Sequence, residues 1–477
     1  MAAALAAIVA FPQWQFMLDT TFRTQILQQN VISIALQPDG LLLSGTMRFP
    51  GDMSNRLLTK VDLAGNQVLS FPFGYGGGKI TPWEGKYYVS VGQTIRRVLA
   101  TGYVDPTFIE LNLGPYFQSS QGGDYHVFPD GRVLISGQHN LSDSTRGFVG
   151  QYDLIWFSNE GYLDTTRIHR QSNGFMWDFT ALPDGKFLCS CSCTMYEGQP
   201  VDRVFRIHAD GALDTTFQSG INWGNIYAYH PLPDGRVYVG GRFKRAEVPN
   251  DTLYIVRLMP DGSLDPSFNN HNSLSTSDGI TAYPKVTNIV PWYDGSIFAM
   301  GVMRHVNGQT RGGICVLDNT GQLTPLLENS LPGTFSYQTS TNASIHGIVP
   351  APDSSAYYIW GTYTGYNDGT INDTLQRFVS RLLVEELNVA LQEEENARSF
   401  SIQPNPTNGS VTFTFDPAMG RSNSITIRDI HGRKVTALPI REGTDRVEWN
   451  AAELAPGIYF VSFKSGGSVS TQKLVVN

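Results

Sequence analysis

The sequence predicts an all-β protein: a large domain of repeated four-stranded units, then a small sandwich at the C-terminus. Three observations carry this. Asp-Gly-type turns recur between short apolar runs along most of the 477 residues. Gly contributes 48 residues and aromatics 12%, a mixture suited to many short strands joined by tight turns. An acidic stretch near residue 385 ends that pattern, and a different set of strand-like runs follows it.

Composition bounds the function classes. A hydrophobic fraction of 41% excludes general disorder. Net charge is −8, with 8 basic and 6 acidic residues over 399–477 and 26 basic and 36 acidic before them. No basic stripe is present, which argues against nucleic acid as a partner. Residues 1–17 open with Met1-Ala2-Ala3-Ala4-Leu5-Ala6-Ala7-Ile8-Val9-Ala10-Phe11, like the apolar half of a signal peptide. Its basic segment is missing, since the first Arg is Arg23. Either the true start lies upstream, or this is an apolar leader that packs on the repeat domain. No other apolar run approaches the ~20 residues of a spanning helix, so no transmembrane helix is predicted.

The first turn of each unit recurs at Asp39-Gly40, Glu84-Gly85, Asp130-Gly131, Asp184-Gly185, Asp234-Gly235, Asp294-Gly295 and Asp353-Ser354, at steps of 45, 46, 54, 50, 60 and 59 residues. A second turn recurs at Gly65, Gly102, Gly161, Gly211, Gly262 and Gly321. Asp-Gly between apolar runs signals a tight hairpin, because Gly tolerates positive φ and Asp bonds its own backbone. Two hairpins give four strands. A four-stranded unit cannot bury both faces alone, so such units stack in a ring. Seven first turns predict a seven-bladed β-propeller over 18–384. Alternation in Val31-Ile32-Ser33-Ile34-Ala35-Leu36 places Ile32, Ile34 and Leu36 on one face. The last unit lacks a second turn, and Leu18-Asp19-Thr20-Thr21-Phe22 has no unit of its own. The N-terminal segment is therefore expected to complete the last blade.

A recurring phrase sharpens the assignment. Arg257-Leu258-Met259-Pro260-Asp261-Gly262-Ser263-Leu264-Asp265-Pro266-Ser267-Phe268 has partial copies at Leu213-Asp214-Thr215-Thr216-Phe217 and Val104-Asp105-Pro106-Thr107-Phe108. A further copy, Leu163-Asp164-Thr165-Thr166, ends in Arg167 in place of Phe. The phrase resembles the delta-60 type repeat of bacterial propellers, and the resemblance implies the fold without implying an activity. The sixth and seventh units depart from it most.

Residues 385–399 are acidic and read as a linker. Strand-like runs then follow at 411–415, 424–428, 434–439, 445–450, 457–463 and 470–476, which predicts a small Ig-like β-sandwich over 400–477. Four pieces occur in order there: Pro404-Asn405-Pro406-Thr407-Asn408-Gly409, Ile427-Arg428-Asp429-Ile430-His431-Gly432-Arg433-Lys434-Val435, Leu454-Ala455-Pro456-Gly457-Ile458-Tyr459-Phe460-Val461 and Gln472-Lys473-Leu474-Val475-Val476. They are similar to the type A C-terminal sorting domain of type IX secretion cargo. That resemblance implies the type IX machinery as a partner and a secreted or outer-membrane-surface location. It marks Pro404, Asn405, Pro406, Gly409, Gly432, Gly457, Tyr459 and Lys473 as motif residues.

The search for chemistry yields no catalytic constellation, no cofactor fingerprint and no metal spacing. Cys189, Cys191 and Cys193 share one face of a strand; they read as small packed residues, as a metal cluster, or as partners for Cys315 in a disulfide. The repeated Asp19, Asp105, Asp164, Asp214 and Asp265 read as turn-bonding residues, since catalytic residues seldom recur once per blade. The loop Asn367-Asp368-Gly369-Thr370-Ile371-Asn372-Asp373 lacks a complete calcium pattern. Register places Trp177, Trp223, Tyr227, Tyr229, His230 and His346 near the innermost strands. Trp177, Trp223, Tyr227, Tyr229 and His346 are the candidate ligand face; aromatics there either grip a glycan or peptide or pack between blades. The functional expectation is a non-enzymatic surface or secreted binding and display module, with an extracellular glycan or protein as ligand. The alternatives are an extracellular polymer-degrading hydrolase or lyase, and a purely structural matrix role.

Overall fold

The computed structural model describes residues 13–277, 279–387, 400–415, 424–429, 433–441, 443–465 and 468–477. They fall into two compact units, Met1–Leu387 and Asn388–Asn477.

The first unit is a β-propeller. Its ladders run in seven successive antiparallel sets of three: Gln28–Gln37, Gly40–Arg48 and Arg56–Val61; Gly77–Trp83, Lys86–Val91 and Thr94–Leu99; Phe117–Val127, Val133–Asp143 and Phe148–Phe157; Met176–Ala181, Phe187–Cys191 and Val204–Ile207; Ile221–Pro231, Val237–Arg245 and Leu253–Leu258; Lys285–Pro291, Ile297–Val302 and Ile314–Leu317; Ser344–Pro350, Ala356–Asn367 and Asn372–Leu387. We call these blades one to seven. The glycine of the second turn is left-handed at Gly65, Gly102, Gly161, Gly211, Gly262 and Gly321, which is why no other residue suits it. Blade two has the shortest distance between its two turns, 17 residues from Gly85 to Gly102, because Gly92 and Gln93 alone join its second and third strands.

The fourth strand expected in each blade is reduced to isolated pairings in blades one to six: one each in blades two, four, five and six, such as Val98–Val104 and Leu258–Leu264, and two each in blades one and three. In blades two to five the residue after that pairing is the repeated Asp. Blade seven differs: Gln13–Leu18 pairs along Asn372–Leu387, with Gln13 opposite Leu387 and Leu18 opposite Leu382. Residues 13–17 thus belong to the propeller instead of a leader, and the leader's residues 1–12 lie outside the described residues. Likewise 385–387 extend the last strand, and the linker's 388–399 lie outside the described residues.

Each junction between neighbouring blades carries its own apolar cluster. Leu42 and Leu58 meet Tyr87 and Val89 between blades one and two. Leu134 and Trp156 meet Phe187 between three and four. Tyr358 and Trp360 of blade seven meet Val31 and Leu43 of blade one, so the series closes on itself. A bulge between Val31 and Ser33 overturns the predicted single face: Ile34 and Leu36 pack in that last cluster, whereas Ile32 is exposed.

The repeated aspartates hold these junctions. In blade two, Asp105 Oδ1 accepts from the Thr107 amide at 3.0 Å and the Thr107 hydroxyl at 2.7 Å, and Oδ2 accepts from Arg97 Nε at 2.6 Å. Arg97 Nη1 then donates to the Asn159 carbonyl in the second turn of blade three at 2.7 Å. The same relay runs from Asp214 through Arg206 to Pro260, and from Asp265 through Arg257 to Asn319. Blade three has Trp156 where the arginine stands elsewhere; there Arg170 donates to the Asp210 carbonyl at 2.9 Å.

The second unit holds two antiparallel sheets around one core. Ser401–Gln403, Ser410–Thr414 and Arg446–Asn450 form one; Lys434–Pro439, Ser424–Asp429, Gly457–Ser465 and Ser468–Val476 form the other. Phe400, Phe413, Phe415, Ile425, Val461 and Phe463 fill the space between.

Candidate functional site

The first strand of every blade contributes to one central cavity of about 600 Å³. Its lining includes Ile32, Lys79, Asp124, Asp178, Tyr229, Lys285, Asn288 and His346. A second pocket of about 480 Å³ adjoins it, sharing Tyr227 and Lys285, and is lined by Arg203, Trp223, Asn225, Arg242 and Tyr283 of blades four to six.

The predicted ligand-face residues are spread between these two spaces and the blade junctions. Tyr229 and His346 line the cavity, Trp223 lines the pocket, and Tyr227 touches both. Trp177 is absent from both linings; its Nε1 donates to the Ile226 carbonyl at 2.7 Å, tying blade four to blade five. His230 stacks on Tyr238, with ring centroids 6.2 Å apart. His346 is fixed on both nitrogens: Nδ1 lies 2.8 Å from the Val31 carbonyl and Nε2 lies 3.0 Å from Ser344 Oγ. Burial pushes its pKa down to about 4, so it is neutral at pH 7. Burial, with Asp178 nearby, raises the Tyr229 phenol, whose hydroxyl bonds Ser190 Oγ.

The cavity holds a carboxyl pair. Lys79 Nζ donates to both Asp124 oxygens at 3.0 and 2.9 Å and to the Tyr125 carbonyl at 2.9 Å. Asp178 hydrogen-bonds Asp124, and burial first, then the Asp124 charge, raises its pKa well above the carboxylate range. Asp178 is thereby held toward its neutral form, beside an Asp124 bonded to lysine.

The smaller pocket has the opposite balance: three cations, three aromatic rings and no carboxylate in its lining. The Arg242 guanidinium lies over two rings, 5.2 Å from the Trp223 centroid and 4.8 Å from that of Tyr283. Lys285 Nζ sits 4.8 Å over Tyr227. Trp223 and Tyr283 are 44% and 71% exposed, so both offer free surface. Sequence reasoning missed Arg203, Arg242, Tyr283 and Lys285, which come from separate loops and strands and share no spacing.

The cysteine reading is corrected. Cys191 and Cys193 form a disulfide with each other, and Cys189 and Cys315 are buried free thiols. Among the described residues no group of three or more His, Cys, Asp or Glu is arranged to hold a metal ion. In the 367–373 loop, Asp368 accepts from the Leu18, Thr370 and Ile371 amides and so anchors the N-terminal strand.

In the second unit, Asn405 Nδ2 donates to the Lys473 carbonyl at 2.6 Å and its Oδ1 accepts from the Val475 amide at 2.8 Å. The Gly409 amide donates to Thr407 Oγ1 at 3.2 Å, and Tyr459 donates to the Ala455 carbonyl at 2.8 Å. Motif pieces from both ends of this unit thus meet at one edge. Gly432 lies outside the described residues.

Comparison with known proteins agrees with the two-part architecture. Residues 401–477 match the secretion system C-terminal sorting domain. Residues 182–217 and 232–268 match the beta-propeller domain of unknown function DUF5122. The chain is therefore a β-propeller cargo of the type IX secretion system, extracellular or at the cell surface. Among the described residues no helix is long and apolar enough to cross a membrane. No curated protein matches. Solved structures include an extracellular domain attributed to a one-component system of Bacteroides thetaiotaomicron, at 12% identity and TM-score 0.36, covering 98% of this chain and 58% of that one. A protein of unknown function from Bacteroides caccae shares 13% identity, with TM-score 0.33, over 60% of this chain and 93% of that one. The Pan2 WD40 domain of Neurospora crassa shares 7%, with TM-score 0.34, over 75% and 90%. The chain spans 58% and 60% of the length of the first two structures it matches.

Proposed function

We propose that this exported propeller is a binding protein that takes an extracellular ligand at the central cavity and the pocket beside it. One observation carries the reading. The pocket's lining sets Arg203, Arg242 and Lys285 beside exposed Trp223 and Tyr283 without a single acidic partner. In a chain of net charge −8, cations left without counter-charges in a concave, aromatic space are what a ligand would complete. Screening the full chain on glycan and peptide arrays tests it. Selective retention of one ligand class, lost in Trp223→Ala, is the expected result. No retention, or retention indifferent to Trp223→Ala, overturns it.

The Asp124–Asp178 pair favours a second reading, hydrolysis. Its geometry speaks against the glycosidase form. Glycoside hydrolysis sets two carboxyls about 5–9.5 Å apart to flank a bond, whereas these two are in hydrogen-bond contact. Product release from the arrayed polymers, abolished by Asp178→Asn, would make the enzyme reading the right one.

A further inference from the structure

We infer that the pocket between blades four, five and six recognises a uronic-acid oligosaccharide, its carboxylate paired with Arg242. This rests on the binding reading above and names the ligand class for the same site.

The argument starts from the arginine. Asn225 and Arg242 are opposite one another in the ladder of blade five, and Trp223 is opposite Lys244, so the first two strands present these side chains side by side. Arg242 lies over both the Trp223 and the Tyr283 rings, at 5.2 and 4.8 Å from ring centroid to guanidinium carbon. A guanidinium stacked on aromatic rings presents its N–H groups at its edges, in one plane. That fork matches a planar two-oxygen acceptor, which a carboxylate is. Arg242 Nε is buried and has no hydrogen-bond partner, an unmet donor that a bound carboxylate would satisfy. Lys285 over Tyr227 and Arg203 add charge from the blades on either side.

The remaining surface selects for a sugar ring. Trp223 and Tyr283 expose apolar faces, which suit the C–H face of a pyranose. Asn225 Nδ2 donates to the Tyr227 hydroxyl at 3.0 Å, leaving the Asn225 carbonyl to accept from ring hydroxyls. A volume of about 480 Å³ is of the order that holds a small ligand. The loop carrying Tyr283 is tied down: the Thr281 amide donates to the Thr341 carbonyl at 3.0 Å, so the aromatic wall is positioned before any ligand arrives.

The test is titration calorimetry on the full chain with three size-matched probes: a tri-uronate, its neutral hexose counterpart and its sulfated counterpart. The inference expects the tri-uronate to bind at least tenfold tighter than the neutral trimer, with affinity falling as salt rises. Arg242→Ala should weaken it at least tenfold and Arg242→Lys by an intermediate factor, because lysine keeps the charge and loses the fork. Circular dichroism melts establish that each variant is folded, and Arg132→Ala, in the first turn of blade three and outside both linings, should bind like the parent. Equal affinity for neutral and acidic trimers overturns the inference but leaves a binding propeller standing. Preference for the sulfated probe overturns the carboxylate assignment. Failure of all three, with binding of some other arrayed ligand, overturns the sugar class alone; failure with every arrayed ligand removes the binding reading as well.

Discussion

Asp19 and Arg381, 362 positions apart, form an ion pair at 2.5 Å between Asp19 Oδ2 and Arg381 Nη2. The Asp19 amide also donates to the Arg381 carbonyl at 2.9 Å, and Arg381 Nη1 donates to the Leu63 carbonyl in blade one at 3.1 Å. The relay that repeats at the inner junctions thus spans the point where the chain's first strand meets its last. Breaking it should cost more than a surface pair, since Asp19 is only 8% exposed, and less than a fully buried one, since Arg381 is 24% exposed. Arg381→Ala is expected to destabilise by ~2 kcal/mol, against about 3–5 for a buried pair. A double-mutant cycle with Asp19→Ala in urea unfolding measures it. Additive effects would show that the two residues do not act together.

The inner relays set the acid limit of the propeller. Burial opposes ionisation of Asp105, Asp214 and Asp265, but hydrogen bonds from lysine or arginine and from Thr107, Thr216 and Ser267 outweigh it and hold all three well below the usual carboxylate range. A carboxylate with a depressed folded pKa adds stability above its unfolded value, ~3.9, and that stability disappears as pH falls further. Unfolding should therefore accelerate below about pH 4. Asp265→Asn should flatten the acid limb while lowering stability at pH 7. An unchanged acid limb would contradict the assignment.

Between pH 7 and 4 a different set of groups acts. Burial depresses His139, His169 and His346 to about 4 each. The unfolded chain takes up protons near the usual 6.5 and the folded chain does not, so stability present above that value is lost on the way down to 4. Asp153 runs the other way: burial raises it to about 6, and acidification relieves its buried charge. Asp153→Asn should stabilise at pH 7 and change little at pH 4.5, making the fall in melting temperature steeper. A melting temperature that is flat or rising from pH 7 to 4.5 in the parent would refute this balance.

Turn chemistry was legible in the sequence because it is local. Five of the six second-turn glycines stand 25–30 residues after the first turn, blade two's stands 17 after it, and all six are left-handed. The clamp was half legible: the aspartates read as turn-bonding residues, which Asp105, Asp214 and Asp265 are, but Arg97, Arg206 and Arg257, each eight residues before its aspartate, went unread. What was hidden is non-local. The bulge that exposes Ile32 has no sequence mark, and the pocket draws Arg203, Arg242 and Tyr283 from three blades that only ring closure brings together.

The cysteines give a prediction with a count attached. Cys191 and Cys193 are joined and both buried, and Cys189 and Cys315 are free and buried. Alkylating the denatured chain without reductant should label two cysteines, and after reduction all four, by intact mass. Peptide mapping should place the two early labels on Cys189 and Cys315. Four labels without reductant would mean that the disulfide is absent from the secreted protein.

The sorting unit offers the last test, at Asn405. Ser468–Val476 lies at the end of its sheet: Gly457–Ser465 flanks it on one side, and on the other, among the described residues, its backbone pairing is a single parallel bridge from Thr407 to Val476. An edge with unpaired backbone frays or pairs with foreign strands unless something holds it. Asn405 holds it with one donor and one acceptor, to the Lys473 carbonyl and the Val475 amide. Asn405→Ala removes both and should loosen the outer side of residues 473–476, the last of the four sorting pieces, which stay paired with Gly457–Phe460 on the other. Asn405→Asp keeps the acceptor and should be milder. Surface protease accessibility and the amount in the medium report delivery. Deletion of 401–477 should abolish it, and Asn405→Ala should reduce it several-fold while leaving the propeller melt unchanged. If Asn405→Ala is delivered like the parent, the machinery reads the tail without needing this edge held. If the deletion is delivered as well, 401–477 is not what carries the propeller out.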